Sequence, residues 1–243
     1  MNLHREEIAG LNCVMVRGAT QKPVRQIAIF CHGFGAPGDD LVGLAPELIS
    51  CQPSLQEETE FVFPAAPIDL QWELGFEGRA WWPINMQQLQ QMSLAGDLTD
   101  LEDYIPPELA DCRRRIVAIA TQRGQMHRLS VPRWVIGGFS QGAMLAVDVA
   151  LHGETQPSGL IVWSGTVICL DSWRTLASAR APLPIVQSHG YSDPILPFSG
   201  GERLRDLMQD TGHHVEFLPF QGPHTISSQA CEAAARLLAR LIQ

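Results

Sequence analysis

The sequence predicts an α/β fold in which a doubly wound, mostly parallel sheet carries helices on both faces. Two observations lead to this prediction. Short apolar runs alternate with segments of helical spacing along most of the chain, and such repeats require crossover connections that place helices on both sides of a sheet. The runs are also apolar throughout rather than alternating with polar residues, which is typical of strands buried on both faces.

The predicted elements follow one another with a helix between most successive strands. Residues 1–17 are expected to add one or two antiparallel edge strands. The predicted strands that follow are Gln26–Cys31, Glu60–Phe63, Arg133–Phe139, Leu160–Trp163, Pro184–Gln187 and Val215–Leu218. The predicted helices are Leu41–Ser50, Leu109–Gln125, Gln141–Leu151, Gly201–Gln209 and Ser228–Ile242. At 243 residues, α/β proteins commonly keep one core, so we expect a single domain over residues 1–243.

The segment from Pro67 to Pro107 interrupts this pattern, because it is rich in large apolar residues and shows no evident sheet strand. Long connections of this kind are often lids or binding loops. An alternative interpretation is an excursion that caps the core and buries its own tryptophans, and both interpretations can hold at once. We expect a cap-like insertion over about residues 67–107. Its large apolar residues include Phe76 and the candidate substrate-binding residues Trp72, Trp81, Trp82 and Met86.

The charge balance argues against nucleic acid as a partner. Acidic residues outnumber basic residues 26 to 17, whereas a protein that tracks phosphates requires basic clusters. The one such cluster, Arg113–Arg115, lies in an amphipathic helical pattern and is interpreted as a solvated helix face.

The cysteine pattern and the N-terminal residues bear on metals and on location. Six cysteines are spread along the chain without a C-x-x-C pair, so zinc ribbons and redox dithiols are not supported. The first twenty residues hold no apolar run of signal-peptide length, and no stretch approaches the roughly 20 apolar residues of a membrane helix. We therefore expect a cytoplasmic protein with reduced thiols.

The motif at residues 138–142 reads Gly-Phe-Ser-Gln-Gly and matches the pattern G-x-S-x-G. The pattern is short, but here an apolar strand comes directly before it and an apolar helix directly after it. A sharp strand-to-helix turn projects the serine hydroxyl above the sheet, and glycines avoid a Cβ that would collide with the neighbouring strand or helix. The sequence therefore predicts Ser140 as a nucleophile.

A serine nucleophile needs a base, and the base needs an acid that orients it. In this architecture the chain order is serine, then acid, then histidine. The histidines that follow Ser140 are His152, His189, His213, His214 and His224. His224 is the predicted base, because it follows the last predicted strand at the sheet edge where catalytic groups gather.

The predicted acid lies in a loop between Ser140 and His224. Asp193 follows the strand Pro184–Gln187 and meets this requirement. Asp171 is the alternative, because some hydrolases place the acid one strand earlier.

Acyl transfer also develops an oxyanion that two backbone N–H groups must receive. One predicted donor is Gln141, the residue after the nucleophile. The other is Phe34, in the loop His32–Gly35 that follows the first parallel strand. His32 itself is interpreted as a structural residue whose ring fixes this loop by hydrogen bonds.

Three motifs occur in order along the chain. They are H-G-F-G at residues 32–35, G-G-F-S-Q-G at residues 137–142 and H-G-Y-S-D-P-I-L-P at residues 189–197, with G-P-H at residues 222–224. From about Val24 onward, the chain resembles the phospholipase/carboxylesterase family of α/β-hydrolases, which includes acyl-protein thioesterases and small bacterial carboxylesterases. The resemblance implies the α/β-hydrolase fold, no metal, no organic cofactor, and triad roles for Ser140, Asp193 and His224.

The chain departs from this family where substrates would be selected. The family's first loop usually continues with an acidic residue where Ala36 stands here, and the family's Trp-aromatic-Asp stretch appears as Trp81-Trp82-Pro83. The motifs and the resemblance together lead us to expect a serine hydrolase of small carboxylic esters, or thioesters, with apolar acyl groups. Alternatives on the same scaffold are an acyl-protein thioesterase or lysophospholipase, a peptidase or lactone hydrolase, and a binding protein without catalysis. The sequence leaves the oligomeric state open.

Overall fold

The computed structural model of the protein describes residues 1–20, 22–75, 77–129, 133–152 and 155–242. Its strands are β1 (Asn2–Ile8), β2 (Leu11–Arg17), β3 (Gln26–Cys31), β4 (Thr59–Pro64), β5 (Ile68–Asp69), β6 (Arg79–Ala80), β7 (Trp134–Phe139), β8 (Gly159–Trp163), β9 (Pro184–Gly190) and β10 (His214–Phe220). Eight of them form one sheet in the order β1-β2-β4-β3-β7-β8-β9-β10. Only the β1–β2 and β2–β4 pairs in this sheet are antiparallel. The predicted mostly parallel sheet is confirmed.

The helices lie between the strands, as crossover connections require. They are α1 (Leu44–Cys51), α2 (Leu55–Glu58), α3 (Gln71–Leu74), α4 (Met86–Ala95), α5 (Thr99–Glu102), α6 (Leu109–Met126), α7 (Gln141–His152), α8 (Leu170–Ala179), α9 (Phe198–Asp210) and α10 (Ser228–Ile242). A short 3-10 turn, Asp40–Gly43, precedes α1. The helices without a counterpart among the predicted ones are α2, α3, α4, α5 and α8.

The central strands bury both faces because alternate side chains of an apolar run point to opposite sides of a sheet. Every residue of β3 and β4 is buried. Ile27 and Ile29 pack in a cluster with residues of α6, α7 and α8. Ala28 and Phe30 pack in a second cluster with residues of α1 and α10. The two layers hold the sheet rigidly between helices, with the carboxyl ends of the parallel strands along one edge.

The insertion, residues 67–107, contains more regular structure than expected. β5 and β6 pair antiparallel, with Ile68 opposite Ala80, so the expectation that this segment holds no strand is wrong. Strands of two residues are too short to produce a recognisable period in the sequence. Trp81 and Trp82 are buried, as the core-capping interpretation requires, and Phe76 lies outside the described residues.

Across the described ranges, no helix is both long and apolar enough to cross a membrane. All six cysteines carry free thiols. Burial raises the pKa of Cys112 and Cys231 to about 12, so these two thiols are protonated at neutral pH and are poor nucleophiles.

Candidate active site

Ser140 occupies the sharp turn between β7 and α7. Its φ of 55° lies in the left-handed region, which costs a residue with a Cβ about 1–2 kcal/mol. The turn is held by the Ser140 N–H, which donates to the carbonyl oxygen of Trp163 on the neighbouring strand at 2.9 Å. The Ser140 carbonyl accepts hydrogen bonds from Ala143 and Met144 in the first turn of α7. The side chain therefore projects from the edge of the sheet at a helix N-terminus.

The glycines on either side of this turn allow the helix to pack close to the strands. A Cβ on Gly138 would overlap the backbone of Gly142, and a Cβ on Gly142 would overlap the backbone of Cys31 at the end of β3. Both overlaps involve backbone atoms, which cannot move aside. This is the physical reason that both positions are glycine.

His224 and Asp193 meet at the same edge of the sheet. His224 follows β10, Asp193 follows β9, and His224 Nδ1 lies 2.6 Å from Asp193 Oδ2. The other carboxylate oxygen, Oδ1, accepts the backbone N–H groups of Ile195 and Leu196, each at 2.9 Å. The rings of His224 and Phe139 lie 4.7 Å apart between centroids, so Phe139 packs against the imidazole.

The carboxyl group of Asp193 is ionised at neutral pH. Burial alone would raise its pKa, but the nearby N–H of His189 and hydrogen bonds from His224 and the Leu196 N–H outweigh burial and hold the pKa well below its usual range. The carboxylate accepts the hydrogen bond from Nδ1, which leaves Nε2 of a neutral His224 free to act as a base.

The alternative residues lie in other environments. Asp171 is exposed in the first turn of α8. His152 pairs with Asp148 at 3.1 Å within α7. His213 is buried just before β10, where it bonds to backbone groups of Leu183 and Ala177. His214, the first residue of β10, is exposed. The structure therefore brings only Asp193 and His224 of the predicted acids and bases to the edge that carries Ser140, with His189 packed behind Asp193.

The loop after β3 approaches Ser140 from the other side. His32 Nδ1 lies 2.8 Å from the Gly33 carbonyl, and His32 Nε2 accepts the Ala66 N–H at 3.0 Å. Burial lowers the pKa of His32 to about 4, so the ring is neutral at pH 7 and holds the loop, as predicted for a structural residue. The Gly35 N–H donates to the Arg79 carbonyl of β6 at 2.8 Å, which ties the loop to the insertion.

A cavity of about 220 Å³ lies between these groups. Ser140, His224, Phe34 and Gln141 line it, so the predicted nucleophile, base and oxyanion donors face one space. A second cavity of about 220 Å³ lies beside it under α4 and α5. The residues common to both walls are Ile84, Leu89 and Met144.

The four candidate substrate-binding residues of the insertion have different positions. Met86 lines the first cavity and Trp82 lines the second. Trp81 is fully buried behind the loop, where its Nε1–H donates to the His32 carbonyl at 2.9 Å. Trp72 is 98% exposed. Neither Trp72 nor Trp81 is among the described residues that line the two cavities, and a substrate-binding role for them stays a prediction.

The side chain of Gln141 makes hydrogen bonds to the insertion that the sequence did not predict. It is buried, its Oε1 accepts the Trp81 N–H at 3.0 Å, and its Nε2 donates to the Trp82 carbonyl at 2.7 Å. The residue that follows Ser140 therefore also attaches the insertion to the site through its side chain. A glutamine at this position of the motif was the only available signal, and it does not reveal a partner 60 residues away.

Comparisons with known proteins agree with this architecture. The sequence is 24% identical over 234 residues to acyl-protein thioesterase 1 of Candida albicans, covering 93% of this chain and 96% of the relative. It is 28% identical over 221 residues to acyl-protein thioesterase 1 of Eremothecium gossypii, covering 89% and 88%. The crystal structure of esterase PE8 is similar in fold, with a TM-score of 0.74 at 22% identity, covering 99% of this chain and 100% of that one.

The chain also matches a family rather than only single proteins. The pattern of residues that defines the Phospholipase/Carboxylesterase family matches residues 12–242, which include β3 to α10 and every residue of the candidate site. The chain therefore belongs to the phospholipase/carboxylesterase family of α/β-hydrolases.

Proposed function

We propose that the protein hydrolyses carboxylic esters with apolar acyl groups through a Ser140–His224–Asp193 triad and an acyl-enzyme intermediate. One observation carries the proposal. The strained Ser140 shares a cavity with His224, and His224 is hydrogen-bonded to an ionised Asp193. Nucleophile, base and orienting acid are the components that serine acyl transfer needs.

The proposed reaction proceeds in two halves. His224 Nε2 takes the proton of the Ser140 hydroxyl as Oγ attacks the ester carbonyl carbon, and Asp193 stabilises the imidazolium that forms. The N–H groups of Phe34 and Gln141 receive the oxyanion. His224 then returns the proton to the departing alcohol, which leaves an acyl group on Oγ. A water, deprotonated by His224, hydrolyses this acyl-enzyme and restores the free serine.

The cavity walls support an apolar acyl group. Beside Ser140 the wall is formed by Met86, Ile84, Leu89 and Met144, and the last three also line the second cavity. We propose that a longer acyl chain extends past them toward Trp82 and Met92. Each methylene buried there would contribute about 0.8 kcal/mol, or roughly fourfold in kcat/KM, until the space is filled.

Thioesters are a second candidate substrate class. The observation in favour is that the two curated relatives described above are named acyl-protein thioesterases. The same triad serves both classes, because the nucleophile and the oxyanion are the same and only the leaving group differs. Hydrolysis of a butyryl thioester and a butyryl oxygen ester by the same preparation compares the two.

We further propose that the described elements belong to a single domain and that the protein works in the cytoplasm. A single sheet joins both hydrophobic clusters, which supports one domain. Six free thiols suit a reducing compartment.

Labelling with a fluorophosphonate tests the nucleophile. We expect one adduct, on the peptide that contains Ser140, and no adduct with Ser140→Ala. The matched control is Ser164→Ala, because Ser164 also has a positive φ of 50° and follows β8, but it is fully buried. The label should remain on Ser140 in this control. Labelling of Ser140→Ala, or hydrolysis of p-nitrophenyl butyrate by that variant at the wild-type rate, would contradict the proposal.

A further inference from the structure

We propose that His189 is a positioning residue that holds the acid of the proposed triad in place, so that Asp193 is held between two histidines. The inference rests on the proposed function, because it assigns a role relative to Asp193 and His224. His189 does not reach the reacting atoms and would act only through the carboxylate.

His189 lies near the end of β9 and is fully buried. Its Nε2 is 2.8 Å from the carbonyl oxygen of Leu196 and 3.4 Å from Oδ2 of Asp193. A carbonyl oxygen only accepts hydrogen bonds, so Nε2 must carry a proton. The Nε2–H therefore donates to Leu196, and the partial positive charge of this N–H lies beside the carboxylate.

The loop that carries the acid is thereby held through both backbone polar groups of Leu196. The Leu196 N–H donates to Asp193 Oδ1, and the Leu196 carbonyl accepts the His189 proton. His224 occupies Oδ2 at 2.6 Å. A shift of the loop would break the bond to His189 and redirect the carboxylate away from His224. His189 thus holds the direction of the hydrogen bond on which the base depends.

The ring of His189 is itself fixed by α9. A Cβ on Gly201 would overlap the imidazole at Nδ1, so glycine at this position lets the helix pack directly against the ring. Phe198, at the start of the same helix, meets the ring edge-on at 6.1 Å between centroids. Nδ1 has no hydrogen-bond partner among the described residues. Leaving a buried polar atom unpaired costs about 1–3 kcal/mol. Among the described residues, the polar interaction that the imidazole provides against this cost is the hydrogen bond made by Nε2.

His213 provides a matched comparison. It is also a buried histidine, its Nδ1 accepts the Leu183 N–H at 3.1 Å, and its Nε2 lies 3.2 Å from the Ala177 carbonyl. Its bonds lie near the amino end of β10, away from the acid loop. A merely structural histidine should behave like His213, whereas a positioning residue should change the chemical step.

The experiment compares His189→Leu, His189→Gln and His213→Leu in the full chain. For each variant, kcat for p-nitrophenyl butyrate is divided by the concentration of sites that react with the fluorophosphonate, so that misfolded protein does not count. We expect His189→Leu to lower this kcat by about 10- to 100-fold, as loss of an orienting partner does elsewhere, without a change in KM. Glutamine can place an N–H donor where Nε2 stood, so His189→Gln should recover most of the loss. His213→Leu should lower Tm and leave the kcat per site unchanged.

Two results would overturn the inference. One is a kcat per site in His189→Leu equal to that of the wild type, and the other is an equal loss in the leucine and glutamine variants. If instead the wild-type protein fails to react at Ser140, the proposed function falls and the inference falls with it. Normal labelling of the wild type together with an unaffected His189→Leu overturns only the role of His189.

Discussion

The loops at the carboxyl ends of the strands and the insertion at residues 67–107 surround the same cavity but differ in how they are built. In the strand-end loops, each candidate group is placed by a neighbouring strand and by backbone hydrogen bonds, as Asp193 is by the N–H groups of Ile195 and Leu196. The insertion has two-residue strands, two four-residue helices and the ten-residue helix α4. It is positioned by contacts with distant residues such as Gln141.

This difference separates chemistry from selectivity. The strand-end loops carry the groups proposed to break the bond, and a rigid sheet sets their spacing. The insertion supplies the apolar walls around Trp82 and Met86, which would determine the acyl groups that fit. Substitutions in the first region should therefore lower turnover for every ester, and substitutions in the second should change the ranking of esters.

Among substitutions that leave Ser140 in place, Asp193→Asn should have the largest effect. An amide in place of the carboxylate no longer holds the correct tautomer of His224, and loss of the orienting acid lowers kcat by about 10⁴ in serine proteases. We expect a loss of about 10³ to 10⁴ here, with acetyl and hexanoyl esters affected equally. Steady-state kinetics on p-nitrophenyl esters measures it. Asp171→Asn is the control and should retain full activity. A larger loss of kcat in Asp171→Asn than in Asp193→Asn would identify Asp171, in α8, as the acid.

Ile84→Phe should change the ranking of esters. Ile84 lies in the wall shared by the two cavities and is half-buried, so a larger ring there should close the path to the second cavity. We expect acetyl ester hydrolysis to be retained and kcat/KM to fall by about fourfold for each methylene that no longer fits. The measurement is kcat/KM from acetyl to octanoyl esters. An equal loss for all chain lengths would show that the second cavity does not receive the acyl chain.

Sequence reasoning was effective where the chemistry is local. The apolar run before Ser140 and the helical pattern after it predicted the ends of β7 and α7 to within one residue. The two glycines of the motif lie where a Cβ would overlap backbone atoms. The parallel sheet followed from strands that are apolar at every position, such as β3. Each of these features depends on residues close together in the chain.

Features that depend on distant contacts were not predictable in this way. Trp72 and Trp81 share the same residue type and the same segment, yet one is 98% exposed and the other is fully buried. Nothing in the local pattern distinguishes them, because the burial of Trp81 depends on His32 and Gln141. α8 was missed because the residue before it, Cys169, starts the helix with a φ of 50° and makes no side-chain capping hydrogen bond.

Gln141→Leu should reveal how strongly the two regions are joined. Leucine removes both side-chain hydrogen bonds and leaves the Trp81 N–H and the Trp82 carbonyl without these partners, at about 1–3 kcal/mol for each buried group. Since 1 kcal/mol corresponds to about 2–4 °C in a chain of this size, Tm should fall by several degrees. The backbone N–H of residue 141 remains, so kcat for the acetyl ester should fall by no more than about tenfold. A loss as large as that of Asp193→Asn would assign the side chain itself to the chemistry.

Trp72→Ala should have the smallest effect. The side chain is almost fully exposed and is not among the described residues that line the two cavities, so the chain-length ranking and Tm should both match the wild type. The same ester series and a thermal melt measure this. A change in ranking would show that Trp72 takes part in substrate binding.

The central claim is that Ser140 becomes acylated during turnover. The most direct test is to mix the protein with excess p-nitrophenyl butyrate, quench with acid within the first turnover and determine the mass of each peptide. We predict a butyryl adduct on the peptide that contains Ser140, in an amount that matches the initial burst of p-nitrophenol, and no adduct with Ser140→Ala. An adduct on another residue, or steady turnover of the ester by Ser140→Ala, would contradict the account.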